Sequence, residues 1–150
     1  MVSKEEVIDN ALIRFNEGYA CSQSVLLAFN KYFDLDEKTA KLISSTFGGG
    51  MGRLREKCGA LTGGFMVIGL AMGNEKPDDM DTKLQAYSLV RELNKKFEEK
   101  YETSSCKELL KKYATPQQVD ARVHHQLICQ QVVVEAVELV YDLLKQEGKF

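Results

Sequence analysis

The chain has 150 residues, of which 44% are hydrophobic and 28% charged, with a formal net charge of −2. That length suffices for one domain burying roughly 70% of its unfolded surface without disulfide staples. The mild acidity argues against a nucleic-acid binder, which carries a basic face.

Taken in order, the chain reads as helix after helix. Ser3 with Glu6 three residues on is a capping box, and Val7, Ala11, Leu12 and Phe15 repeat at helical spacing, so a first helix runs over about 3–17. Gly18 suits its end, because glycine takes the left-handed conformation without a Cβ clash. A second helix covers about 20–33, with Val25, Leu26, Phe29 and Phe33 inward. Asp36 caps a third over about 37–46, with Ala40, Ile43 and Phe47 inward.

The stretch 47–73 is the most unusual. Gly48, Gly49, Gly50 and Gly52 lead through Arg53, Arg55 and Lys57 to Cys58, and no charged residue follows before Gly73. A fourth helix is expected over about 57–72, holding Gly59, Gly63, Gly64 and Gly69. Each interior glycine costs about 1 kcal/mol against alanine, so close approach of another helix must offset the loss. The uncharged run is shorter than the ~20 apolar residues of a membrane span and reads as a buried glycine-rich helix. Gly73, Asn74 and Pro77 stop it.

A fifth helix over about 79–101 places Leu84, Tyr87, Val90, Leu93 and Phe97 inward. Thr103, Ser104 and Ser105 cap a short sixth, about 106–113, and a seventh runs from near Pro116 to about 145. On this last helix Asp120, His124, Gln131, Glu135, Glu138 and Asp142 share a narrow polar wedge. The broad apolar remainder suits a central helix or one shared with a second subunit, that is, a homodimer. Its first half breaks that apolar arc with Arg122, His125, Gln126, Cys129 and Gln130, where a lined pocket is expected. The fold class is therefore all-α: a single-domain bundle, 1–150, of about seven helices around a buried glycine-rich one. The acidic start MVSKEEVIDN lacks the basic and apolar regions of a signal peptide, which points to a cytoplasmic protein that is not membrane-embedded. In that compartment cysteines serve catalysis, redox sensing or metal binding more than structural bridges.

The four cysteines are Cys21, Cys58, Cys106 and Cys129, and no two form a CxxC pair. Cys21, Cys58 and Cys106 each fall at or near an expected helix start, where the half-positive end of the helix dipole favours thiolate, the nucleophilic and metal-ligating form. Cys58 also has Arg53, Arg55 and Lys57 nearby in sequence, making it the first choice for the reactive thiolate, with Cys106 a partner. The plain alternative is that buried cysteines only fill space. The glycine loop has two readings. Gly49 and Gly50 with Arg53 and Arg55 can form an anion-binding nest, or the loop simply ends a helix and packs over the cysteines. His125 lies four residues before Cys129, on the same helix face, and is a candidate metal ligand beside it.

Cys58-Gly59-Ala60-Leu61-Thr62-Gly63 reads CGAxxG, with Cys21 before it and Cys106 and Cys129 after it. Together with the GYACSQSVL, FGGGMGR and SSCKELL contexts, this order resembles the C_GCAxxG_C_C family over nearly the whole chain. The resemblance implies four invariant cysteines and a redox role, in a family whose genes often lie beside transporter genes. Three functions stay open. One is a thiol–disulfide protein, as an oxidoreductase with a redox partner. A second is a metal protein holding an iron–sulfur cluster, zinc or another metal on Cys21, Cys58, Cys106 and Cys129, with His125 a further candidate. The third is a non-catalytic helical partner protein. Four cysteines allow three full pairings, and spacing does not choose among them.

Overall fold

The computed structural model describes the backbone of residues 1–112 and 121–150, and side chains of 1–112 and 126–150. Seven helices are present among the described residues: α1 (Lys4–Asn16), α2 (Cys21–Phe29), α3 (Glu37–Ser44), α4 (Gly59–Met72), α5 (Met80–Tyr101), α6 (Cys106–Lys112) and α7 (Ala121–Gln146). Short 3₁₀ turns at Asn30–Phe33 and Ser45–Phe47 follow α2 and α3. The fold is all-α, and no strand occurs among the described residues beyond one isolated antiparallel bridge between Lys57 and Ser105.

The termini are written in local chemistry. The Ser3 hydroxyl accepts from Glu6 N–H at 3.2 Å, and the Asp36 carboxylate accepts from Thr39 N–H at 2.9 Å. These caps satisfy donors that a helix start leaves orphaned. Gly18 follows α1 with φ +103°. The start of α7 expected near Pro116 lies outside the described residues.

Helix α4 is the axis of the bundle and packs against α2, α5 and α7, while α1 closes over α2 and α7. Its small residues make this possible. A Cβ on Gly63 would lie 2.7 Å from Ser22 O in α2, and one on Gly64 would lie 2.9 Å from Leu93 Cδ2 in α5 and 3.0 Å from Val140 Cγ2 in α7. Around this axis Phe29, Leu61, Ile68, Leu93, Phe97 and Leu144 are fully buried. Each such side chain contributes about 1.5–3 kcal/mol through apolar burial. The apolar arc of α7 is covered within the chain, with Val133, Ala136, Val137 and Val140 at 0% exposure. Its polar wedge pairs outward, Glu135 with Lys100 at 2.7 Å and Asp142 with Lys4 at 2.9 Å.

Three expected inward residues point out: Ile43 is 57%, Leu84 53% and Tyr87 51% exposed. In α3 Ala40 is buried as expected, and Ser44 takes the place of Ile43, because the Ser22 hydroxyl donates to Ser44 O at 2.8 Å and draws the small side of α3 onto α2. In α5 the buried stripe is Ala86, Leu89, Leu93, Phe97 and Tyr101. The period carried back from Leu93 lands on Leu89 and Ala86 rather than on their bulkier neighbours.

Candidate functional site

Three helix starts converge where the cysteines lie. Cys21 opens α2, whose preceding Ala20 N–H donates to the Gln23 side chain at 3.0 Å. Cys58 is the N-cap of α4, and Cys106 opens α6. Two backbone contacts join the latter pair: Cys58 N–H donates to Ser104 O at 2.8 Å, and Cys106 N–H donates to Glu56 O at 2.6 Å. These flank the Lys57–Ser105 bridge, so Cys58 and Cys106 are diagonal neighbours on one face of it. Cys21 meets the same spot from α2: a Cβ on Gly59 would lie 2.5 Å from its sulfur. Cys129, in α7, forms another wall. All four thiols are free and line one half-open cavity of about 830 Å³.

The glycine segment closes this cavity and has an unusual backbone. Gly49, Gly50, Met51, Gly52 and Arg53 all have φ between 59° and 69°, and Arg55 has φ 60°. A left-handed turn of this length costs about 1–2 kcal/mol at each non-glycine residue. Gly50 is held there by contact as well, since a Cβ would lie 2.6 Å from Cys106 Cβ. The Arg55 guanidinium donates to Cys106 Sγ at 3.7 Å.

The electrostatics differ from the expectation for Cys58. It is buried, 5% exposed, and desolvation pushes its thiol well above the ordinary range. Neighbouring Cys21 and Cys106 push the same way, and the first N–H groups of α4, on Ala60 and Leu61, oppose them. The nearby cations do not serve it. Arg55 reaches Cys106, and Lys57 donates to Asn94 Oδ1 at 2.8 Å and Ser104 Oγ at 2.7 Å. The Ser104 hydroxyl in turn donates to Glu98 at 2.7 Å. This polar cluster ties the bridge to α5, and a sequence pattern does not reveal it because its members come from three separate segments. Burial also raises the Cys21 thiol, against the N–H groups of Gly49 and Ser22. Burial pushes the Cys129 thiol up to about 12, with Cys21 and Cys106 adding and Arg55 subtracting.

Gly49, Arg53 and Arg55 of the expected anion nest line the cavity, and Gln126 joins Cys129 there from α7. Phe15, Tyr19 and Gln23 also line it, and the sequence pattern alone gives none of them a place in the site. Of these, Gln23 had a signal: a glutamine three residues after Ala20 reproduces half of a capping box. The side chain of His125 lies outside the described residues. Among the described residues no group of three or more His, Cys, Asp or Glu is arranged to hold a metal ion. No helix of the described residues is long and apolar enough to cross a membrane.

Comparison with known proteins matches the chain to the family model described as "Putative redox-active protein (C_GCAxxG_C_C)", over residues 19–143. No curated protein and no solved structure matches. The family's printed motif places Gly before Cys; here Cys58 precedes Gly59, with Ala60 and Gly63 following in the printed spacing. With most of its length matched and its four cysteines gathered at one cavity, the chain belongs to the C_GCAxxG_C_C family.

Proposed function

We propose that the cavity carries thiol–disulfide redox chemistry, with Cys106 as the attacking sulfur and Cys58 or Cys21 as the thiol that resolves it. The observation that carries this reading is the convergence of four free thiols on one cavity, with a guanidinium 3.7 Å from one of them. A thiolate is the reactive species in disulfide exchange, and only Cys106 has a cation's hydrogen bond on its sulfur among the described residues. Cys106 is also partly exposed to the cavity, whereas Cys58 is buried behind it. That arrangement suits an exposed attacker and a sheltered resolver. In one turn two thiols become a disulfide, releasing two protons and passing two electrons to a disulfide substrate.

Substitution and metal analysis test this together. Cys106→Ser is expected to slow reaction with a small disulfide by at least about 100-fold, leaving little of the reversible oxidation. Protein isolated without oxygen is expected to hold less than stoichiometric iron or zinc. A Cys106→Ser protein that oxidises at the wild-type rate, or a full complement of metal on the four thiols, contradicts the reading.

A further inference from the structure

The cavity wall carries one sign of charge among the described residues. Its lining includes Arg53 and Arg55, and no Asp or Glu. The chain as a whole is net −2, so this is not the by-product of a basic composition. Among the described residues no ion pair compensates either arginine; the pairs present use Arg14 and five lysines. Both side chains converge over Gly49, where a Cβ would lie 2.8 Å from Arg53 Cγ and 3.6 Å from Arg55 Nη1. The left-handed backbone at Arg53 and Arg55, with φ 63° and 60°, sets their aim at a cost in strain. The cavity, at about 830 Å³, lies within the roughly 300–1,000 Å³ range of small-molecule sites.

We infer that the cavity binds a small carboxylate-bearing disulfide, held by its negative group at Arg53 and Arg55 with its S–S bond against Cys106. This names the substrate class for the thiol–disulfide reading above and rests on it. Guanidinium is suited to the role because its planar donor fork pairs with a carboxylate through two hydrogen bonds. The chemistry balances in two steps. Cys106 attacks as thiolate on one ligand sulfur, the ligand S–S bond breaks, and the first ligand half leaves as thiolate and takes a proton. A second protein thiolate, from Cys58 or Cys21, then attacks Cys106 Sγ and expels the other ligand half, which also takes a proton. The ligand gains two electrons and two protons, and the protein is left with one disulfide.

Charge-matched probes test this. The wild-type protein reacts with dithiobis(nitrobenzoate), which carries carboxylates, and with dithiodipyridine, which at neutral pH carries none. The same protein unfolded in urea gives the reference ratio of the two rates. The folded protein is expected to favour the anionic probe by about tenfold over that reference, equivalent to about 1.4 kcal/mol. Arg53→Gln is expected to remove most of the preference, and Arg53→Lys to restore part of it. Arg53 is exposed, so neither change disturbs the core. A folded ratio equal to the unfolded one, or a preference that survives in both Arg53→Gln and Arg55→Gln, overturns the inference. If the neutral probe still oxidises Cys106 reversibly in that case, the redox reading stands without it. If neither probe produces a reversible protein disulfide, both fail.

Discussion

At the level of single residues, the cysteines differ more than their shared settings at helix starts suggest. Sequence places Cys21, Cys58 and Cys106 at helix starts, and the helices do begin there. A helix start is a local property, set by caps and glycines, and so it is legible. Desolvation depends on what covers a residue, and that comes from distant segments. For Cys58 it outweighs the helix start and raises the thiol. Nor does the run of cations before Cys58 reveal that Arg55 turns to a sulfur 51 residues away. Iodoacetamide at neutral pH is therefore expected to label Cys106 first and Cys58 last, read by mass spectrometry of the digest. Faster labelling of Cys58 than Cys106 contradicts this. For Cys129 the raised thiol has a further consequence. An acid whose folded pKa is raised keeps its proton longer when folded, so the associated stability is complete below the unfolded value of about 8.5. That stability is lost as pH rises through about 12. Urea melts between pH 8 and 12 are expected to show a shallower decline in Cys129→Ala than in the wild type, and parallel declines contradict the assignment.

At the level of elements, the glycine-rich α4 was legible as buried because a helix that spends so many glycines needs close neighbours. Which glycines matter is not written in their number, since Gly59 and Gly63 abut α2, Gly64 lies between α5 and α7, and Gly69 meets nothing. Gly63 abuts α2, with a Cβ placed 2.7 Å from Ser22 O, whereas a Cβ on Gly69 meets nothing within 4 Å. Gly63→Ala is expected to cost roughly 1–3 kcal/mol through overpacking, and Gly69→Ala to add about 0.5–1 kcal/mol through helix propensity. The midpoints of urea unfolding measure both; equal shifts in one direction contradict the packing described for α4. The misread faces of α3 and α5 teach the same point. Ile43, Leu84 and Tyr87 attract attention by bulk, yet Ser44, through a buried serine bond, and Ala86 and Leu89, in step with Leu93, take the inner face.

Over the whole molecule, long-range closure is what sequence periodicity cannot express. Phe150 returns to pack with Phe29 at 6.0 Å, Phe33 at 5.9 Å and Tyr141 at 5.0 Å between ring centroids. Phe150→Ala is expected to cost about 1–3 kcal/mol, less than the roughly 3–5 kcal/mol of a fully buried phenylalanine because this ring is partly exposed; thermal unfolding measures it, and an unchanged midpoint contradicts the packing role. The same closure draws together Cys21, Cys58, Cys106 and Cys129 from four helices or helix starts. The family match covers all four and is described as redox-active. The most direct test of the central proposal is therefore peptide mapping under non-reducing conditions, on protein prepared without oxygen, then exposed to excess small disulfide, then to reductant. The account predicts that exposure joins Cys106 to Cys58 or Cys21 in an intramolecular disulfide, and that reductant restores all four thiols. Four thiols that stay free throughout, or a bridge that never includes Cys106, contradict it.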